Sequence, residues 1–488
     1  MPIEIPTLNV IALAPELAVI ITAALVMFFD MFIDDKRLLG YLSLLGLGVA
    51  AVITFVLFGT APAPALQDVL ISDGYALVFN LVFITTAALS VLIAISYLNN
   101  KDLQRGEYYT LLLFSTSGMM FMAAATDLII IFLGLEIMSI GLYILAAFNR
   151  RQLGSGEAGM KYFVLGAFAS AFFLYGAALL YGATGFTNLQ AMGDWFTPDH
   201  GNLDDPIALV GLALLLIGFA FKVAAVPFQW WTPDAYHGAP TSVTAFMSVG
   251  AKAAGFAALV RVLMVSFDQA YTVDWQIAVA VLAAVTMTGG NVAALAQKDV
   301  KRMLAYSSVA HAGYILVGVA AATITGVNSV LFYLMAYAFM NIGAFAVIAV
   351  IERRDAIGST LADYAGLATR KPLLALAMAL FMLSLTGIPP FVGFWGKLYV
   401  FRAAVEVNMS WLAVVGVINS AISAFYYLSV VVQMYMHSPA AAEAAADAAP
   451  INLSGPITVT LAASVIVTIL LGVWPTPLVN LTSLGIFG

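Results

Sequence analysis

The sequence predicts an all-α integral membrane protein of about 14 transmembrane helices, with two inverted five-helix repeats (helices 4–8 and 9–13) and discontinuous helices 7 and 12. Three observations support this fold class. Of the 488 residues, 63% are hydrophobic and 9% are charged, whereas soluble domains carry roughly 25% charged residues. Apolar stretches of about 20 residues, the length that crosses a bilayer, recur along the whole chain. Two of these stretches contain proline beside lysine.

The composition also excludes several classes of protein. A chain this poor in charge cannot cover a water-facing surface, which excludes soluble enzymes, nucleic-acid binders and disordered proteins. The absence of cysteine excludes disulfides, thiolate-bound iron–sulfur clusters and a thiol nucleophile. The histidines are too scattered to suggest a haem or metal site: His200, His237, His311 and His437.

The spans follow from apolar runs between polar breaks. No basic segment precedes the first run, which we therefore expect to be an uncleaved span. Fourteen spans are predicted, near 9–30, 38–59, 75–98, 108–125, 128–149, 158–183, 206–229, 239–263, 274–296, 302–321, 327–351, 372–400, 410–436 and 456–479. The longest polar intervals are 184–205, 352–371 and 437–455. The last contains an alanine-rich run, Ala440 to Ala449, which is typical of a low-complexity connector.

The basic residues orient these spans. When loops alternate across the membrane, thirteen lysines and arginines fall on one side and only Arg402 falls on the other, with Arg261 close to its helix end. Basic residues concentrate on the cytoplasmic side, so we expect both termini to face away from the cytoplasm. The thirteen residues are Lys36, Arg37, Lys101, Arg105, Arg150, Arg151, Lys298, Lys301, Arg302, Arg353, Arg354, Arg370 and Lys371.

Four charges remain deep inside predicted spans: Glu136 in helix 5, Lys222 in helix 7, Lys252 in helix 8 and Lys397 in helix 12. A charge at bilayer depth costs roughly 2.5–3.5 kcal/mol on the insertion scale, so such residues usually face a polar interior. Burial disfavours the charged forms, which eases proton exchange near neutral pH. We interpret the four as proton carriers. The alternative is that they snorkel or form ion pairs that only lock helices together.

Two spans are expected to be broken. Helix 7 carries Pro227 and Phe228 after Lys222, and helix 12 carries Gly387, Pro389 and Pro390 before its lysine. Proline removes a backbone donor and clashes with the preceding turn. A broken span is tolerated only where protein or a wet cavity surrounds it. Proline in transmembrane helices can also be without function, which is the alternative for either break alone.

The two breaks occupy matching positions. Helices 4–8 and 9–13 form two units of five, which is an odd number, so the second unit is inverted relative to the first. Interrupted helices at corresponding positions of inverted repeats point to a transport site. The predicted organisation is a three-helix segment over 1–106, the first repeat over 107–264, the inverted repeat over 265–437, and a connector with a final helix over 438–488.

Three weaker features accompany these charges. His311 lies among hydroxyl residues in helix 10 and could relay protons, or could be an interhelical hydrogen-bonding residue. Asp234 and His237 follow the break in helix 7 and could line a cytoplasmic inlet or a simple loop. Glu157 and Lys161 have the spacing of a structural i,i+4 pair.

Several segments together resemble a known family. They are PFQWWTPDAYHGAPT at Pro227–Thr241, LEIMS at Leu135–Ser139, KRMLAYSS at Lys301–Ser308 and EAGMKYF at Glu157–Phe163. They are similar to the antiporter-like subunits of respiratory complex I, a proton-translocating NADH:quinone oxidoreductase, and most of all to the subunit N branch, the counterpart of mitochondrial subunit 2. Gln229 stands where the L and M subunits usually carry histidine. The resemblance covers nearly the whole chain.

The resemblance implies a fold of fourteen helices and a role for each buried charge. Glu136 matches the helix 5 glutamate, Lys222 the helix 7 lysine paired with it, Lys252 the central helix 8 residue and Lys397 the helix 12 lysine near the outer half-channel. No cofactor or metal is expected in this chain; flavin, iron–sulfur clusters and quinone belong to partner subunits. The implied partners are neighbouring antiporter-like and small membrane subunits in the bacterial inner membrane.

Three functions remain open from the sequence. The first is a membrane-arm subunit that conducts protons, coupled to quinone reduction in other subunits. The second is a subunit of a multisubunit cation/proton antiporter. The third is a passive scaffold whose charges only assemble helices.

Overall fold

The computed structural model describes residues 9–66, 68–197, 205–268, 271–352, 359–438 and 453–487. Within them the chain forms nineteen α-helices and one two-stranded antiparallel sheet. In chain order these are α1 (Ala14–Phe29), α2 (Arg37–Leu57), β1 (Ala63–Leu66), β2 (Leu70–Ser72), α3 (Gly74–Lys101), α4 (Gly106–Ala124), α5 (Leu128–Ala146), α6 (Leu153–Thr184), α7 (Leu189–Trp195), α8 (Pro206–Val223), α9 (Trp231–Gly238), α10 (Thr241–Ser266), α11 (Thr272–Leu295), α12 (Val300–Ala320), α13 (Ile324–Ile351), α14 (Leu367–Arg370), α15 (Pro372–Thr386), α16 (Val392–Glu406), α17 (Ser410–Met436), α18 (Gly455–Val473) and α19 (Thr476–Thr482).

The helices confirm an all-α membrane protein. Eleven of the described helices are long and apolar enough to cross a membrane, and α1 and α15 are shorter apolar helices. Each predicted span coincides with one helix, or with a consecutive pair in the cases of spans 12 and 14, while α9 lies between the predicted spans 7 and 8. The exact number of crossings and the inverted repeats stay predictions, since helix length and composition do not determine them.

The intervals between spans contain short elements that were not predicted. The hairpin β1–β2 connects α2 to α3, and α7 lies in the interval predicted as polar loop after helix 6. A 3₁₀ turn at Leu361–Tyr364 and α14 precede α15. These elements satisfy backbone polar groups of connecting segments. The predicted connector Ala440–Ala449, together with His200, Arg353 and Arg354, lies outside the described residues.

Three helices form the centre of the molecule. The most apolar stretch of each helix is 100% buried inside the protein in α10, 94% in α12 and 89% in α13. In the peripheral helix α18 the buried share is 28%. These central helices nevertheless carry lysine, histidine, asparagine and several hydroxyl residues. Polar groups removed from both water and lipid must find partners inside the protein. The centre is therefore where a polar pathway can exist.

Both predicted breaks are confirmed. Helix α8 ends at Val223, and Ala224 adopts a left-handed conformation with φ 61° before α9 begins at Trp231. The indole of Trp231 donates a 3.0 Å hydrogen bond to the carbonyl of Phe221 across the break. Helix α15 ends at Thr386, followed by Gly387 at φ 91°, a conformation that glycine adopts at little cost.

Arg261 lies close to the end of α10, as expected, but it is buried and only 1% exposed. Its guanidinium donates bidentate hydrogen bonds of 2.8 and 2.9 Å to Asp73, the N-cap residue of α3. A third bond of 2.9 Å reaches the carbonyl of Ala123 at the end of α4. The guanidinium therefore links α10 to both α3 and α4. Because neither charge has access to water, each depends on the other for its stability.

Candidate functional site

The predicted lysines are all buried. Lys222, Lys252 and Lys397 are 2%, 2% and 5% exposed, respectively. Glu136 on α5 is half-buried. None of the three lysines points to the lipid-facing surface, so snorkelling is not the explanation for their presence. Each has polar partners that can be identified individually.

Lys222 lies in the last turn of α8, directly before the break. Its ammonium donates to the hydroxyl of Ser139 at 2.8 Å and to that of Tyr143 at 3.4 Å, both on α5. The negative end of the α8 dipole favours a cation at this position. A lysine charge is thus held by a helix terminus and hydroxyl groups, without a carboxylate in contact.

Glu136 lies one turn before Ser139 on the same face of α5. Its carboxylate accepts a 2.5 Å hydrogen bond from the hydroxyl of Ser170 on α6. Among the described residues, no ion pair within 4 Å joins Glu136 to Lys222. The Lys222 ammonium is bonded to Ser139, one turn along α5 from Glu136, and the Glu136 carboxylate is bonded to Ser170.

Lys252 lies in the middle of α10. Its ammonium donates to the backbone carbonyl of Ser308 at 2.6 Å and to the hydroxyl of the same residue at 2.5 Å. It also lies 5.9 Å from the ring centre of Tyr236 on α9. Gly255, one turn further along α10, packs closely against Lys222: a β-carbon built there would be 3.3 Å from the Lys222 β-carbon. The α8 and α10 lysines are therefore on adjoining helix faces.

Lys397 on α16 reaches back to the other half of its broken span. Its ammonium donates a 2.7 Å hydrogen bond to the carbonyl of Thr386, the last residue of α15. It lies 4.5 Å from the ring centre of Tyr314 on α12, which is a cation–π distance. A carbonyl at a helix C-terminus again takes the place of a carboxylate.

Helix α12 connects the environments of Lys252 and Lys397. Ser308, His311 and Tyr314 follow at intervals of three residues on this helix, and the first and last contact the two lysines. The imidazole of His311 lies between them and is hydrogen-bonded to Tyr333 at 2.8 Å and to Tyr427 at 3.0 Å. Such a ring can bind tyrosines together or pass a proton, so both sequence interpretations of His311 remain open.

The residues after the first break form a surface network. Asp234 on α9 pairs with Lys161 at 2.8 Å and with Arg302 at 2.7 Å. Burial works against its charged form, but hydrogen bonds from these two cations outweigh it and hold the pKa of the Asp234 carboxyl below its usual value. Lys161 also forms the expected i,i+4 pair with Glu157 at 2.6 Å. Asp234 therefore links α6, α9 and α12.

Several side chains at the site were not singled out from the sequence. They are Ser139, Tyr143 and Ser170 beside the first two charges, and Tyr236, Tyr333 and Tyr427 beside Lys252 and His311. Ser139 and Tyr143 follow Glu136 at three and seven residues, so helical spacing could have placed them on its face. The others lie on separate helices, and only packing brings them to the site.

The site can hold and transfer protons but offers little to a metal. Its groups are amines, hydroxyls, one carboxyl and one imidazole, all of which exchange protons with neighbours or with water. No cluster of three or more histidine and carboxylate side chains with metal-site geometry occurs in the described part of the chain.

Known proteins with a similar sequence belong to one family. Residues 125–423 match the family described as NADH:quinone oxidoreductase/Mrp antiporter, TM. The chain is 49% identical over 431 residues to NADH-quinone oxidoreductase subunit N of Trichlorobacter lovleyi, covering 88% of each chain. It is 45% identical over 469 residues to NADH-quinone oxidoreductase subunit N 1 of Herpetosiphon aurantiacus, covering 95% of each.

Solved structures show the same fold. A chain of respiratory complex I from Thermus thermophilus superposes with a TM-score of 0.80 at 34% identity, covering 96% of this chain and 98% of the other. A chain of the Mrp complex from Dietzia sp. superposes with a TM-score of 0.85 at 23% identity, covering 98% and 97%. The second likeness concerns the fold alone. The sequence relatives, the family match and the complex I structure agree that the chain belongs to the subunit N family of NADH-quinone oxidoreductase.

Proposed function

We propose that the chain conducts protons across the membrane through Glu136, Lys222, Lys252 and Lys397, as a membrane-arm subunit of NADH:quinone oxidoreductase. Quinone reduction takes place in partner subunits, which also hold the flavin and iron–sulfur clusters. One observation carries the proposal. The three buried ammonium groups contact hydroxyls, carbonyls and aromatic rings, and none lies within 4 Å of a carboxylate among the described residues. A lysine without a fixed counter-ion can lose its proton without leaving an unpaired carboxylate behind.

In this mechanism Glu136 and Lys222 are the switch. When the ammonium leaves Ser139 and meets Glu136, the ion pair holds the Lys222 proton. When it returns to Ser139, its positive charge acts through the low-dielectric interior on Lys252. Lys252 then releases its proton along α12, past His311, towards Lys397. The partners Ser308 and Tyr314 support this order, since both belong to α12 and contact Lys252 and Lys397, respectively.

The orientation and the repeats belong to the same proposal. Protons enter from the side that carries the thirteen basic residues, which we take as cytoplasmic, and leave on the side of both termini. The host membrane is the bacterial inner membrane. The segments 107–264 and 265–437 act as the two inverted halves, with α8 and α9 in the first corresponding to α15 and α16 in the second. The two lysine-bearing breaks support this correspondence.

The test replaces each buried lysine by methionine in the assembled complex. Inverted membrane vesicles report NADH-driven proton uptake through a pH-sensitive dye, and NADH:ferricyanide activity normalises for the amount of complex. Lys222→Met, Lys252→Met and Lys397→Met are each expected to lower proton-coupled quinone reduction by about tenfold or more. Lys298→Met is the matched control, because this lysine is exposed. Undiminished pumping in all three variants would refute the proposal.

The same experiment addresses the other functions. A scaffold predicts less assembled complex but normal turnover in what remains. A subunit of a stand-alone antiporter would purify without flavin and iron–sulfur absorbance.

A further inference from the structure

A cavity opens on the basic face, which we define by Lys101, Arg302 and Lys298. It has a volume of about 330 Å³, which is room for several waters. Its walls come from five helices and the segments that follow them, and Glu352, Lys301, His237 and Tyr97 are among its lining residues. No sequence motif singled out Glu352.

Glu352 caps the C-terminus of α13, and its side chain is 9% exposed. Its carboxylate accepts hydrogen bonds from Tyr97 at 3.0 Å and from Lys101 at 3.3 Å, both on α3. It also accepts a short hydrogen bond from Thr241, the first residue of α10. Three donors leave about one of its four acceptor positions for a water from the cavity.

Two lysines and two hydroxyl groups act on the Glu352 carboxyl. Burial works against its charged form, but Lys301 and Lys101, with hydrogen bonds from Thr241 and Tyr97, outweigh burial and hold the pKa of the Glu352 carboxyl below its usual value. Lys301 itself donates a 2.6 Å hydrogen bond to the carbonyl of Ala239 at the end of α9. A proton that reaches this carboxylate is therefore held briefly and passed on.

The helix that begins at Thr241 leads from Glu352 to Lys252. Thr241, Thr244, Ser248 and Lys252 follow one another at three, four and four residues, which places them on one face of α10. At about 1.5 Å per residue the distance along the helix is about 17 Å. The hydroxyl of Ser248 accepts a 2.7 Å hydrogen bond from the amide of Asn341 on α13.

Asn341 adds an independent sign of water along this face. Its side-chain oxygen is buried and accepts no hydrogen bond within the described part of the chain. A buried oxygen of this kind costs about 1–3 kcal/mol unless a water satisfies it. Because Asn341 binds Ser248, the unsatisfied oxygen lies beside the row of hydroxyls between the cavity and the central lysine.

We propose that Glu352 takes up the proton from the cavity on the basic face and passes it by way of Thr241, Ser248 and intervening water to Lys252. Lys101 donates to the carboxylate and holds it in place, and Lys301 adds a second positive charge at the wall of the same cavity. Each transfer breaks one O–H bond and forms another, and the last forms an N–H bond on Lys252, so no oxidant or co-reactant is needed. The inference rests on the proposed function, because it supplies the proton that Lys252 transfers.

The test uses the assembled complex in inverted vesicles, which turn the basic face outwards. Glu352→Gln is expected to lower NADH-driven pumping and quinone reduction by about tenfold. Pumping by Glu352→Ala should be slowed to a similar extent. Millimolar formate, a small acid that fits the cavity, should then restore part of it. Glu406→Gln is the matched control, since Glu406 is an exposed carboxylate paired with Arg402. Formate rescue separates proton transfer from a structural role.

A second pair of variants protects the test against misfolding. Thr241→Val keeps the shape and removes the hydroxyl, whereas Thr241→Ser keeps the hydroxyl. The proposal expects slow pumping in the first and near-normal pumping in the second, both with normal assembly. It is overturned if Glu352→Gln pumps normally, or if Glu352→Ala is slow and formate has no effect. Normal pumping in Glu352→Gln together with an inactive Lys252→Met would overturn this inference alone and leave the proposed function standing.

Discussion

In the proposed switch Lys222 alternates between Ser139 and Glu136, and Ser139→Ala is therefore its most direct perturbation. In the structure the ammonium lies 2.8 Å from this hydroxyl, while Tyr143 offers only a longer contact of 3.4 Å. Glu136 stands one turn away on the same face of α5. Removing the hydroxyl takes away the nearer of the two hydroxyl partners of Lys222 and favours its pairing with Glu136.

The size of the effect follows from the bond that is lost. A hydrogen bond to a charged group contributes about 1.5–3 kcal/mol. Each 1.4 kcal/mol changes an equilibrium about tenfold, so the balance between the separated and the paired states of Lys222 shifts by about 10- to 150-fold. A switch that rests mostly in one state completes fewer cycles. We expect turnover of the assembled complex to fall about tenfold.

The assay compares NADH-driven pumping and quinone reduction per assembled complex. Ser139→Thr retains the hydroxyl and should retain most of the activity. Ser43→Ala is the matched control, since Ser43 on α2 is also buried and also bonds the carbonyl four residues earlier, at 2.8 Å, but contacts no lysine. Full turnover in Ser139→Ala with normal assembly would show that the hydroxyl does not set the state of the switch.

Three further substitutions test other parts of the structure. Arg261→Gln removes the buried positive charge that faces Asp73, which costs about 3–5 kcal/mol; we expect less assembled complex on native gels but normal turnover in what remains. His311→Gln keeps hydrogen bonding and abolishes proton transfer, so turnover should fall several-fold at normal assembly, and unchanged turnover would make the histidine a structural bridge. A β-carbon at Gly255 would lie only 3.0 Å from Val223, so Gly255→Ala should disturb the packing beside Lys222 and slow turnover. Gly48→Ala is the control, because its β-carbon meets open space.

The sequence predicts those features that depend on local chemistry. Helix positions follow from apolar length, and the breaks after Lys222 and Thr386 follow from proline and glycine, whose effects act within one turn. The four buried charges follow from the cost of a charge in lipid. None of these needs knowledge of which helices touch, so each was available from the chain order alone.

Features that depend on packing were missed. Arg261 looks like a boundary residue because its partner Asp73 lies far away along the chain, beyond the reach of any local pattern. Glu352 sits at the edge of a predicted loop, and only the packing of α3, α10 and α13 buries it. The hydroxyl of Ser139 as the partner of Lys222 was not predicted, because it depends on how α5 packs against α8.

In the proposed mechanism, the two broken helices account for the use of Lys222 and Lys397 as proton carriers. Lys222 occupies the last turn of α8, and Lys397 donates to the last carbonyl of α15. The negative end of each half-helix stabilises an ammonium group by roughly 0.3–2 kcal/mol. This stabilisation favours the charged lysine but is too small to prevent loss of its proton. A buried carboxylate counter-ion would instead be left as an unpaired charge when the proton departs, at a cost of several kcal/mol. A break beside Lys222 and another beside Lys397 thus each supply a weak, permanent counter-charge made of backbone, and proton release from these lysines leaves behind hydroxyls and a carbonyl.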